Sequence, residues 1–180
     1  SSIILIGHSQ GSLLGMLAAQ ECEVDAYISL AGAGRSIDEI LKKQLNTGAP
    51  KHKEDTERIL ESLKKGDTVS DVPTQLVSIF RPGIQPFLIS WIKYDPAKEI
   101  KKLNIPVMVI QGTTDIQVGN SEAELLAESA NVDVQFLDKM NHVLKVAPAE
   151  RKKNIKTYYD PELPLHEGLT KIIYDFIKNI

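Results

Sequence analysis

The chain has 180 residues, of which 42% are hydrophobic and 25% charged, and its formal net charge is −3. That is the composition of one ordinary globular domain with its own core. No broad basic field is available to hold nucleic acid, and no apolar run approaches the ~20 residues of a membrane span. Residues 2–6, from Ser2 through Ile3, Ile4 and Leu5 to Ile6, are short, apolar and β-branched, which predicts a parallel strand buried on both faces. The chain enters this strand with no initiator methionine and no leading polar segment. We therefore expect the first part of a longer protein to precede it. A tight turn at residues 7–11 leads to a helix over 12–21, where Leu13, Leu14, Met16, Leu17 and Ala18 recur at helical spacing. Cys22, near the end of that helix, is expected to be a small buried hydrophobe. A lone cysteine allows no disulfide within the chain, which favours a reducing, cytoplasmic setting. A second strand is expected over residues 24–30, so the opening is the strand–helix–strand unit of a parallel sheet.

Residues 35–96 have a different character. Ser36 is placed to cap a helix running through Leu45, with Asp38 and Glu39 at its positive end. A second amphipathic helix is expected over 53–65, a weakly signalled one within 69–82, and a short apolar one over 86–94 bearing Phe87, Leu88 and Trp91. This block reads as a helical cap inserted between two strands, with residues 1–34 and 97–180 forming the body. In that body a strand is expected over 105–111, a helix over 121–130 capped by Ser121, a strand over 132–137 and a closing helix over 164–180. The lysine pairs, such as Lys42-Lys43 and Lys101-Lys102, are scattered and read as solvated surface.

Gly7-His8-Ser9-Gln10-Gly11 fits the pattern GxSxG, and it lies between a strand and a helix, where that pattern carries meaning. So sharp a turn strains the central residue and exposes its hydroxyl at the carboxyl end of the strand. Both glycines are expected because side chains two positions from the serine would come too close. The backbone N–H of Gln10, at the start of the following helix, is placed to stabilise an oxyanion. His8 is expected to face away from Ser9. A serine hydroxyl needs a base to take its proton and a carboxylate to orient that base. Asp115 follows the 105–111 strand, and His142 follows the 132–137 strand, giving the order Ser, Asp, His along the chain. His52 lies in the cap and His166 in the closing helix, where a structural role is expected. Asp133 and Asp138 are the rival carboxylates. No metal-ligand spacing, CxxC pair or phosphate-binding glycine loop is present in the sequence, so no metal or cofactor is implied.

On these motifs, together with Tyr94-Asp95-Pro96 leading into the stretch from Ile105 to Asp115 and with Asn141-His142, the chain resembles the later part of α/β-hydrolase fold proteins. It looks most similar to the serine esterase and serine aminopeptidase-like group. The resemblance implies a partial α/β-hydrolase fold, a parallel sheet flanked by helices with a helical cap insertion. It implies a carboxylesterase-like serine hydrolase, with Ser9 as nucleophile, Asp115 as acid and His142 as base acting on a small-molecule ester. Phe87, Leu88 and Trp91 would wall an acyl pocket. Relatives carry further strands before the nucleophile strand, and a loop among them supplies a second oxyanion donor. The absent N-terminal portion of the same fold is expected to pair with the strand at residues 2–6. Peptide or amide cleavage by the same three residues, and a non-catalytic domain of this fold, are the alternative readings.

Overall fold

The computed structural model of the chain describes residues 2–180. In chain order it contains β1 (Ile4–His8), α1 (Gln10–Glu21), β2 (Ala26–Leu30), α2 (Ile37–Gly48), α3 (Lys53–Lys64), α4 (Val77–Phe80), α5 (Gln85–Ile92), α6 (Pro96–Ile100), β3 (Val107–Gly112), α7 (Asn120–Ala130), β4 (Val134–Leu137), α8 (Arg151–Tyr158) and α9 (Glu167–Lys178). These elements fall into two compact units, one made of Ser1–Gly34 and Pro96–Ile180, the other of Arg35–Asp95.

The first unit is built on a four-stranded sheet in the order β1-β2-β3-β4, with every neighbouring pair parallel. Ile6 pairs with Ile28, Ile28 with Met108, and Ile110 with Gln135. Alternate side chains along a strand point to opposite faces, and the two faces hold separate cores. On one face Tyr27 and Val109 pack with Met16 of α1, Ile100 of α6 and Ala123, Leu126 and Ala127 of α7. On the other, Ile28, Leu30, Met108 and Ile110 pack with Leu137, Met140 and Leu169, the last from α9. Burying a single Leu or Ile side chain in such a core is worth about 1.5–3 kcal/mol. The two central strands carry most of that burial, and all five residues of β2 are buried.

Local differences from the sequence reading have physical causes. β1 lies at an edge of the sheet, so Ile6 is 48% exposed rather than buried on both sides. Cys22 is exposed, because it stands at the C-cap of α1 after the helix has left the core. Ser121 does not cap α7: the helix starts at Asn120, Gly119 is its N-cap, and Ser121 falls inside the first turn. His166 is the N-cap of α9 rather than a member of the helix, accepting from the Gly168 N–H at 3.1 Å. Helices α6 and α8 were not foreseen. α6 is only five residues long, and α8 carries a single aliphatic side chain, Ile155, so neither has an apolar period to read.

The second unit has its own core. Leu45 of α2, Ile59, Leu60 and Leu63 of α3, Leu76, Phe80 and Leu88 meet there. Ser36 precedes α2 in the expected place but makes no side-chain cap bond. Its hydroxyl hydrogen-bonds the Asp38 carboxylate instead. Asp38, buried, accepts from Lys64 Nζ at 2.5 Å and so ties α2 to α3. Burial alone would raise its pKa, but the Lys64 and Ser36 hydrogen bonds outweigh it and hold the carboxyl below its ordinary value. Buried Gln85 replaces missing regular structure after α3. Its Oε1 accepts from the Val69 N–H, and its Nε2 donates to the carbonyls of Val69 and Phe80, each at 2.7 Å. The stretch 69–82 forms only a 3-10 turn at Thr74–Leu76 running into α4.

Candidate active site

Parallel strands bring all their carboxyl ends to one edge of the sheet, where loops after different strands can meet. β1 ends at His8, and the chain turns directly into α1 through Ser9. Ser9 has φ 55° and ψ −121°, a conformation that side chains strongly disfavour and that typically costs about 1–3 kcal/mol. The turn is held by the rest of the fold: the Ser9 N–H donates to the Leu30 carbonyl of β2 at 2.9 Å. Gly7 is sterically required, since a Cβ there would lie 2.3 Å from the Gly11 carbonyl oxygen and 2.7 Å from Ser12 Cα. Gly11 is not. A Cβ at Gly11 would meet nothing within 4 Å, so the expectation that both glycines answer to crowding is corrected for this one. The crowding is one-sided because α1 climbs away from the strand immediately after the turn. Gln10 is the first residue of α1, and the first amides of a helix have no acceptor inside it. Its N–H therefore belongs to the positive end of the helix beside the Ser9 hydroxyl.

The loop after β3 carries Asp115. Gly112 opens it, because a Cβ there would stand 2.1 Å from the Met140 carbonyl oxygen of the loop after β4. This glycine lets two loop backbones approach. The Asp115 side chain is fully buried. Its Oδ1 accepts from the N–H groups of Gln117 at 2.8 Å and Val118 at 2.9 Å. Its Oδ2 accepts from His142 Nδ1 at 2.8 Å and from Gln111 Nε2 at 3.3 Å. Two backbone amides and one side-chain amide thus fix the carboxylate before the imidazole is counted. In the sequence alone Gln111 is one more strand position. Its amide also donates to the Val118 carbonyl at 2.9 Å, so it holds both Asp115 and Val118 of the loop after β3.

The loop after β4 carries His142, only 5% exposed. Lys139 and Leu144 bracket it with φ of 60° and 64°, so the loop is tightly wound on both sides of the imidazole. His142 Nε2 lies 2.9 Å from Ser9 Oγ. With Nδ1–H donated to a carboxylate, Nε2 is left as acceptor and the serine hydroxyl donates to it. Ser9, His142 and Asp115 therefore form one continuous line of hydrogen bonds across residues far apart in the chain. The rivals stand elsewhere. The Asp138 carboxylate accepts from Thr113 Oγ1 at 3.3 Å, and its carbonyl accepts from His166 Nε2 at 3.0 Å. His52 pairs with Asp55 in the second unit.

His8 is turned toward the base loop. Its Nε2 donates to the His142 carbonyl at 2.8 Å, and the two imidazole centroids are 5.0 Å apart. Although much of the residue is exposed, partial withdrawal of the ring from water holds its pKa below the ordinary value, against the raising effect of that hydrogen bond. The adjacency of His8 to Ser9 in the motif was the only signal in the sequence for this contact.

Phe87, Leu88 and Trp91 lie on α5 in the second unit. Leu88 is packed into that unit's interior, and the rings of Phe87 and Trp91 pack on each other with centroids 5.5 Å apart. Among the described residues no helix is long and apolar enough to cross a membrane.

No protein-family model matches the chain. Among curated proteins it is similar to Esterase EstD of Thermotoga maritima, with 28% identity over 166 residues, covering 85% of this chain and 39% of that protein. Among solved structures it is similar to the Pyrococcus furiosus esterase Pf2001, at a TM-score of 0.52 and 17% identity, covering 98% of this chain and 53% of the other. A variant of the meta-cleavage product hydrolase CumD from Pseudomonas fluorescens IP01 superposes at a TM-score of 0.52 and 14% identity, covering 97% and 64%. The chain thus spans about two fifths of the curated relative's length and between half and two thirds of these solved chains. The parallel sheet, the strand–serine–helix turn at its carboxyl edge and these likenesses together show that the chain has the α/β-hydrolase fold.

Proposed function

We propose that the protein containing this chain hydrolyses carboxylic esters through an acyl intermediate on Ser9. The observation that carries this reading is the hydrogen-bonded line from Ser9 Oγ through His142 to Asp115, at 2.9 and 2.8 Å. In this mechanism Ser9 Oγ attacks the ester carbonyl while His142 Nε2 takes its proton. Asp115 holds the imidazole in the tautomer that leaves Nε2 free and offsets the charge it acquires. The oxyanion is stabilised by the Gln10 N–H at the amino end of α1. Collapse of the tetrahedral species expels the alcohol, which receives the proton from His142. Water, deprotonated in turn by His142, then cleaves the acyl-serine to give the free acid and restores Ser9. Similarity to the Thermotoga maritima esterase EstD favours an ester over an amide as substrate.

The open flank of β1, with Ile3 and Ile6 exposed, supports pairing of this strand with an N-terminal portion of the same fold. The second oxyanion donor would come from that portion. A single missing donor of this kind typically costs about 10²–10³ in turnover. The test is active-site labelling of the complete gene product with a fluorophosphonate, followed by mass mapping. Adduct on Ser9, lost in S9A together with turnover of p-nitrophenyl esters, is the expected result. A wild-type protein that is neither labelled nor active on esters would overturn the reading, and a parallel panel of aminoacyl amides would expose a preference for amide bonds.

A further inference from the structure

The acid and base loops are joined by a buried amide network from a helix beyond them. Asn154 of α8 is wholly inaccessible. Its Nδ2 donates to the carbonyl of Thr114, next to Asp115, at 2.8 Å and to that of Pro148 at 3.0 Å. Its Oδ1 accepts from Asn141 Nδ2, next to His142, at 3.3 Å. Asn141, also inaccessible, donates at 2.7 Å to Thr157 Oγ1, and its Oδ1 accepts from the Lys145 N–H at 3.1 Å. Thr157 in turn donates to the Asn154 carbonyl at 2.7 Å. Lys145 completes the grip from the base loop, with Nζ donating to the carbonyls of Thr157 and Asp160 at the end of α8. Every polar atom of both asparagine side chains is used, and each bond runs between α8 and one of the two loops or within them.

We infer that Asn154, acting with Asn141 and Thr157, is a positioning residue for hydrolysis. It clamps the Thr114 carbonyl and the Asn141 side chain to one rigid helix, and so fixes the Asp115–His142 alignment without touching substrate. This rests on the Ser9 reading given above. The argument is chemical economy. A helix whose interior face is polar contributes little apolar burial, and buried amides cost stability unless fully paired. Here they are fully paired, and their partners are the residues flanking the acid and the base. Polar networks of this kind specify one geometry, and a displacement of about 1 Å at reacting groups costs about 10²-fold in rate.

The test measures the rate of Ser9 phosphonylation in the complete gene product, with Asn154→Ala and Thr157→Val made in two backgrounds, Asp115 and Asp115→Asn. The clamp requires Asn154→Ala to slow labelling by about 10–100-fold with Asp115 present, and by less than about twofold in the Asp115→Asn background, where there is no longer an acid to align. Thr157→Val, which removes the acceptor of Asn141 and the hydroxyl's bond to the Asn154 carbonyl but leaves the Asn154 side chain in place, is expected to slow labelling less, with the same dependence on Asp115, and it carries the test if circular dichroism shows Asn154→Ala unfolded. A wild-type labelling rate in folded Asn154→Ala, or an equal slowing in both backgrounds, would overturn the clamp while leaving an unlabelled Ser9→Ala control in support of the serine reading. A labelled Ser9→Ala control would sink that reading and the clamp with it.

Discussion

Ser9 shows how much one residue can ask of its surroundings. Its backbone conformation is disfavoured, yet the Leu30 carbonyl and the missing side chain at Gly7 leave it no alternative. That much was legible in five letters, because a strand before the motif and a helix after it define the turn. The asymmetry between Gly7 and Gly11 was not, since it depends on where α1 heads. Tyr27 was equally opaque: its place in a strand says nothing of a hydroxyl buried between Ser12 Oγ, at 3.0 Å, and the Ser12 carbonyl, at 2.6 Å. Burial, only partly opposed by hydrogen bonds with Ser12 and Ser29, pushes its pKa up to about 12. The folded state then keeps the phenolic proton that the unfolded chain gives up near pH 10. Stability from this source is intact below about pH 10 and falls by up to about 1.4 kcal/mol per pH unit between there and pH 12. Denaturant titrations at pH 9, 10 and 11 should show that decline in the wild type and a shallower one in Tyr27→Phe. Parallel declines would refute the assignment.

Among elements, the loops after β3 and β4 depend on each other most. Gly112 admits the Met140 carbonyl where any side chain would collide, and the Thr114 N–H donates to that same carbonyl at 3.1 Å. Gly112→Ala should therefore separate Asp115 from His142, slowing the proposed Ser9 labelling and costing about 1–3 kcal/mol in unfolding free energy. A variant that melts and labels like the wild type would show the loops to be more yielding than their packing implies. The sequence carried the β-strands well, since each is an apolar run closed by a glycine or polar turn. It carried α8 poorly. Arg151, Lys152, Lys153 and Lys156 surround Asn154 and Thr157, and a helix held by hydrogen bonds leaves no hydrophobic period. Ser36 and Ser121 mark the converse failure. Both are good capping residues by type, but one spends its hydroxyl on Asp38 and the other sits two residues past the cap.

At the scale of the molecule, a central sheet explains why the fold class could be read while the site's supports could not. Alternation of strand and helix is local, but the bonds that Asn154 makes to Thr114 and His8 makes to His142 cross between elements. The same separation has a kinetic side. Ser9 and His142 stand 133 positions apart, and parallel pairing of β1, β2, β3 and β4 must be complete before they touch. Contacts of such long loop closure form slowly. In refolding experiments, recovery of phosphonate labelling in the complete gene product should lag behind recovery of helical circular dichroism, and simultaneous recovery would contradict late assembly. The Ser9 hydroxyl would then serve as a clock hand for folding, registering only those chains that have finished.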